Sequence, residues 1–83
     1  MAVYPKTFVP NNFIEQSDGR FKATIFATTH NLGTDFQVEK MLRITSNGDW
    51  ENMIASFKIL ANGDFEYFVD EPCVCKVYLV GDT

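Results

Sequence analysis

The sequence predicts an all-β domain: a small antiparallel β-sandwich or flattened barrel of about six strands, with an extended N-terminal arm. Three observations carry this. Asp18-Gly19, Asn47-Gly48 and Asn62-Gly63 are Asx-Gly pairs, the strongest short hairpin signal, because both central residues of a type I′ turn need positive φ. Between them apolar and polar residues alternate with period two. No window holds a helical stripe beyond a weak one at Gln37–Leu42.

In chain order, residues 1–17 read as the arm and 18–83 as one β domain. Pro5 and Pro10 punctuate the arm, each removing a ladder donor and biasing its predecessor to extended geometry. Around them stand Val3, Tyr4, Phe8, Val9, Phe13 and Ile14. Left exposed, six large apolar residues would form a sticky patch. The arm therefore either folds back as an edge strand of its own domain or lies on a neighbouring subunit, and these six are the candidate interface.

The first strand spans Arg20–Thr28, with Phe21, Ala23, Ile25 and Ala27 on one face. Phe36–Thr45 places Phe36, Val38, Leu42 and Ile44 together, interrupted by Lys40. Glu51–Leu60 sets Met53, Ala55, Phe57 and Ile59 on one side. Asp64–Asp70 turns Phe65, Tyr67 and Val69 inward, and Asp64, Glu66, Phe68 and Asp70 outward. In Cys73–Val80, Cys75, Val77 and Leu79 oppose Val74, Lys76, Tyr78 and Val80, so both faces are apolar enough to be covered. The tight turns Asn47-Gly48-Asp49 and Asn62-Gly63-Asp64 bracket the third strand. The last three strands are thus expected as sequential neighbours in one antiparallel sheet.

Composition narrows function. The chain of 83 residues and 9.5 kDa is one domain with a thin core, a size at which oligomerisation often supplies the missing burial. Its longest apolar run is four residues, far short of a bilayer-spanning helix, and no Arg- or Lys-led apolar segment suggests a signal peptide. Net charge is −4, with five bases and four acids in 1–48 but two bases and seven acids in 49–83. No basic footprint for phosphates exists, so no nucleic-acid partner is expected, and none in the membrane. Cys73 and Cys75 would diverge too far along a strand for an unstrained disulfide, and two thiols are too few for closed zinc coordination. They read as reduced and buried or half-buried, and no cofactor is implied.

Catalytic chemistry is not legible either. His30, the only histidine, sits where a strand ends, and it reads with Gly33 as a turn-forming group, as do Asn47, Gly48, Asn62 and Gly63. Asp64 and Glu66 stand about 7 Å apart on one strand face, but such acids commonly serve solubility. Phosphate-cradling glycine loops are absent. The chain is expected not to be an enzyme.

The run Lys22-Ala-Thr-Ile-Phe-Ala-Thr-Thr-His30-Asn-Leu-Gly33, the alternating strand through Val38 and Leu42, Gly63-Asp64 with its alternating aromatics, and Lys76-Val-Tyr-Leu-Val80 together resemble a short β-domain recurring in virion proteins of tailed bacteriophages. The resemblance covers roughly residues 8–80, and Thr29-His30-x-x-Gly33 is its most distinctive piece. The chain departs from that pattern at Asn31, where glycine is common, near Asp35–Phe36, where proline is common, and at Pro72-Cys-Val-Cys75, where a Phe-Asp-Gly-like turn is usual. The resemblance implies a non-catalytic structural component of the virion (a capsid decoration, head-fibre or tail piece), made in the host cytoplasm. Its partners would be other virion proteins or copies of itself, as a homo-oligomer such as a trimer. Deleting residues 2–12 would then abolish assembly and leave the β fold largely intact. Two competitors follow from the residues: an acidic phage inhibitor of a host protein, using Asp64, Glu66, Asp70 and Glu71, and a carbohydrate- or ligand-binding module seeded by Trp50.

Overall fold

The computed structural model describes residues 2–81. Eight strands run in the order β1 (Ala2–Phe8), β2 (Ile14–Glu15), β3 (Phe21–Ile25), β4 (Phe36–Ile44), β5 (Trp50–Asn52), β6 (Ser56–Ile59), β7 (Phe65–Val69) and β8 (Cys75–Gly81). A single 3-10 turn occupies Pro10–Asn12 and a one-turn helix, α1, occupies Ala27–His30. Two four-stranded antiparallel sheets result, ordered β1-β8-β4-β5 (sheet A) and β2-β3-β7-β6 (sheet B). Their facing sides enclose the core: Phe8, Val77 and Leu79 from sheet A meet Ile25, Phe65 and Tyr67 from sheet B. Gln37–Leu42 lies wholly within β4 and is not helical.

The expected arm is the first strand of its own domain. Ala2–Phe8 pairs residue for residue with Gly81–Cys75 at the edge of sheet A. Proline is tolerated there because an edge strand has one row of donors without ladder partners. Phe8 ends the strand with 1% exposure, stacked on Tyr67 at 5.7 Å and tilted against Phe13 at 5.6 Å. Folding back wins because the thin sandwich gains two large rings at its centre.

All three Asx-Gly pairs make reversals, but not type I′ turns. In each, a five-residue unit closes with the glycine N–H donating to the first carbonyl and the first N–H to the fifth: Gln16–Arg20, Thr45–Asp49 and Leu60–Asp64. Only the glycines have positive φ, at 88°, 88° and 96°. This is a type I turn followed by a glycine bulge, closed further by a side-chain oxygen. That oxygen is the Asx residue's own at Asp18 and Asn62, but in the Asn47 turn it is the Thr45 hydroxyl, which accepts from the Asn47 and Asp49 N–H groups. Asp18 and Asn62 each accept the backbone N–H two residues on, at 3.0 Å.

The segment expected as one strand, Glu51–Leu60, is two strands in different sheets. β5 pairs with β4, then the chain crosses at Met53–Ala55, and β6 pairs with β7. Alternation survives the crossing in Met53, Ala55 and Ile59, which pack against the core, and in Ile54, 99% exposed. Phe57, expected inside with them, stacks on Phe65 at 5.6 Å but stays exposed because β6 is the edge of sheet B. The last three expected strands are therefore not one meander, and β8 lies in sheet A between β1 and β4. The chain changes sheet four times, and two of these switches run edge to edge, β1 to β2 on one side and β5 to β6 on the other.

A register shift between Val38 and Lys40 is the second departure. Under strict alternation Lys40 would point into the core. The irregularity at Glu39 turns it outward opposite Tyr78, and from there the phase of β4 is reversed. Phe36 and Val38 face the core as expected; Leu42 and Ile44, expected beside them, face outward opposite Lys76 and Trp50. Met41 takes the inner position instead.

Candidate functional site

The phase reversal in β4 builds the most distinctive surface of the molecule. The outer side of sheet A is a set of cross-strand rows: Val3–Val80–Gln37, Pro5–Tyr78–Lys40, Thr7–Lys76–Leu42–Asn52 and Ile44–Trp50. Val3, Ile44 and Trp50 are exposed, while Leu42, Tyr78 and Val80 are half-buried by their neighbours with no further layer of this chain above them. The two cations in these rows lie on aromatic rings, Lys40 over Tyr78 at 5.4 Å and Lys76 over Trp50 at 4.2 Å. Such stacking lays the alkyl stems along apolar surface, so the face is mainly apolar, with two charges and the polar Thr7, Gln37 and Asn52 among its rows.

Sheet B offers a contrast. Its outer rows carry Lys22, Thr24, Ser56, Lys58 and Glu66, with Ile14 exposed at the β2 end of the Lys22 row. Lys22 and Glu66 pair at 3.2 Å. Phe68, the large ring on that side, is covered by the Arg20 guanidinium at 4.4 Å and by Lys58 at 5.8 Å. Apart from Ile14 at its edge, that face is polar or paired, whereas the outer face of sheet A leaves Val3, Ile44 and Trp50 uncovered.

The candidate interface residues of the N-terminal segment separate accordingly. Phe8 and Phe13 belong to the core, and Tyr4 is half-buried against it. Val3 lies on the outer face of sheet A, Ile14 is exposed on the β2 edge of sheet B, and Val9 is exposed at the turn between them. They do not form one patch. Leu42, Ile44, Tyr78 and Val80 were the residues missed as a group, although the interruption at Lys40 and the apolar second face of β8 were both visible in the sequence.

His30 closes one end of the sandwich. It is 4% exposed, its Nδ1 accepts the Leu32 N–H at 2.9 Å, and its Nε2 lies 2.7 Å from the Gly63 carbonyl oxygen. With Nδ1 accepting, the hydrogen sits on Nε2 and is donated to Gly63. Both nitrogens are engaged, so the ring presents no base to solvent. Asn31, at φ 55°, ends α1 in the left-handed conformation. Gly33 and Gly48 are exposed turn glycines at positive φ, as Asn47 and Asn62 are exposed turn residues.

At the opposite end a groove of about 610 Å³ opens between the crossing segment and the β7–β8 connection, lined by Met53, Ile54, Phe68, Pro72 and Cys73 and rimmed by Arg20, Arg43, Asp70 and Glu71. Arg43 is paired with Glu51 at 2.8 Å and Arg20 with Asp18 at 2.9 Å. The Arg20 amide, then its guanidinium, hold the Asp18 carboxyl below its ordinary value. The acids proposed for charge mimicry are dispersed: Asp64 accepts the Ala27 N–H at 2.8 Å, Glu66 faces Lys22, and only Asp70 and Glu71 stand at the groove. Trp50 carries Lys76 on its face rather than standing free as a sugar platform.

Cys73 is half-buried and Cys75 fully buried, both as free thiols. Burial, then the neighbouring Cys73, pushes the Cys75 thiol well above its ordinary value, and burial does the same to the Tyr67 phenol. No family model, curated protein or solved structure matches this chain.

Proposed function

We propose that the protein is a non-catalytic structural component, of the kind found in bacteriophage virions, that assembles with copies of itself by burying the outer face of sheet A. The observation that carries this reading is the contrast between the two outer faces, one mostly polar and paired but for Ile14 at its edge, the other mainly apolar with Val3, Ile44 and Trp50 uncovered. The domain is 18 Å thin and 36 × 31 Å broad. Its broad face is therefore on the order of 1,000 Å², against about 800 Å² per partner in a standard stable interface. Burying several hundred Å² of apolar area at about 25 cal/mol per Å² gives on the order of 10 kcal/mol gross, before ordering and lost rotational freedom are subtracted. The smallest closed assembly is a face-to-face two-fold pair.

Light scattering over a micromolar-to-millimolar series tests this. The expected result is a mass above 9.5 kDa that falls to monomer in Ile44→Lys, with the far-ultraviolet spectrum unchanged. Opposed copies bring Lys40 and Lys76 toward their equivalents, so added salt should strengthen the association by screening. A wild-type monomer throughout, or an Ile44→Lys variant that associates equally well, overturns the reading.

A further inference from the structure

The free edges of the sandwich differ in what they offer another strand. β1 carries Pro5 in its middle and β2 is two residues long, two devices that blunt an edge against pairing with a second chain. β6 has neither. In the turn at its end Leu60 exchanges hydrogen bonds with Gly63 and Asp64, at 2.9 and 2.8 Å. Ladder alternation then aims the backbone N–H and C=O of Lys58 and Ser56 at β7, and those of Phe57 and Ile59 outward from the sheet. The Phe57 ring lies in the inner layer, stacked on Phe65 at 5.6 Å, yet it is 41% exposed because no strand of sheet B lies beyond it. Ile54, two residues before the strand, is 99% exposed.

We propose that β6 pairs antiparallel with β6 of a second copy, about a two-fold axis at Phe57. The distribution of side chains selects both occupant and register. Centred on Phe57, the strands set Phe57 against its own equivalent as a hydrogen-bonded pair, Ser56 against Lys58, and Ile54 against Leu60. The exposed ring and the exposed Ile54 each gain an apolar neighbour, and no like charges meet. With the axis moved one residue, to Lys58, the two Lys58 side chains would stand directly opposite, which is destabilising. A four-residue edge buries far less than the roughly 800 Å² per partner of a stable interface, so by itself it is a weak contact that leaves single chains mostly unpaired. Combined with the outer face of sheet A, it gives each chain two unlike two-fold contacts, which propagate into an open array rather than closing at a pair.

The test uses the full-length chain with the sheet A face blocked by Ile44→Lys, so its outcome does not depend on the face contact. In the proposed register position 56 of each copy lies opposite Lys58 of the other, twice per pair. Ser56 is exposed, so Ser56→Glu and Ser56→Lys should both keep the circular dichroism of the parent. Ser56→Glu adds two cross-strand charge pairs and should tighten pairing about tenfold. Its mass by light scattering should then climb toward twice 9.5 kDa at millimolar concentration, and high salt should remove the gain. Ser56→Lys should stay monomeric. In heteronuclear NMR of the Ser56→Glu chain, the Phe57 and Ile59 amides should shift with concentration. A Ser56→Glu chain that is monomeric throughout overturns the proposal, as does equal association of the two variants or a set of shifts confined to residues outside β6.

Discussion

His30 Nε2 donates to the carbonyl of Gly63 across 2.7 Å, joining the end of α1 to the β6–β7 turn thirty-three residues away. The same two segments meet again where Asp64 Oδ1 accepts the Ala27 N–H at 2.8 Å. Gly63 stands so close that a Cβ there would lie 2.7 Å from the Gly33 carbonyl oxygen. The Thr29-His30-x-x-Gly33 and Gly63-Asp64 pieces of the sequence are thus two halves of one structural clasp.

Replacing His30 by alanine strips the Leu32 N–H and the Gly63 carbonyl of their partner and leaves a void against Phe36, whose ring lies 4.6 Å away. A loss of about 2–4 kcal/mol is expected from the unsatisfied buried groups and the void together. Urea unfolding measures it, and a loss under about 0.5 kcal/mol, the range of ordinary surface substitutions, would show that the clasp contributes little.

Gly63→Ala and Gly19→Ala form an internal control. Both glycines have positive φ, but a Cβ at Gly19 meets nothing within 4 Å whereas one at Gly63 strikes backbone. Gly19→Ala should cost about 1 kcal/mol through backbone strain alone. Gly63→Ala should cost clearly more, and equal melting temperatures for the two variants would contradict the close approach.

Removing the N-terminal strand should unfold the protein rather than free an intact domain. β1 supplies seven residues paired with β8, and Phe8 supplies a ring at the centre of the core. Phe8→Ala alone should cost about 3–5 kcal/mol, much of the stability of a domain this size. A chain lacking residues 2–8 that keeps cooperative thermal unfolding would show the strand to be dispensable.

Alkaline pH should destabilise the fold. Burial raises Tyr67 above its ordinary 10.0 and Cys75 above its ordinary 9.0. Above pH 9 the unfolded chain therefore loses protons that the folded chain retains, and linkage makes stability fall as pH rises. Denaturant midpoints should be level near pH 7–8 and decline beyond pH 9. In ultraviolet titration one of the three tyrosines should ionise only as the protein unfolds; three tyrosines titrating together while the fold persists would refute this.

Much of the architecture was legible locally. Alternation in Asp64–Asp70 and Cys73–Val80 placed Phe65, Tyr67, Val69, Cys75, Val77 and Leu79 inside, where they are. The Asx-Gly pairs marked three reversals, although a side-chain oxygen (of Asp18, Asn62 or Thr45), not a second positive φ, completes the turn. Even Lys40 was a signal: a cation on the inner phase of a strand marks the place where the register must shift.

What the sequence by itself determined is the period-two pattern, the turn positions and the small all-β class, because each depends on residues close along the chain. Only the tertiary structure decided that Ala2–Phe8 joins its own sheet, that Glu51–Leu60 divides between two, that Leu42 and Ile44 turn outward, and that Met53 meets the Tyr67 hydroxyl. Those outcomes depend on which strands pair across long loops. Several pairings satisfy the same local alternation, and the core selects among them by how completely it can bury Phe8, Phe65 and Tyr67 together.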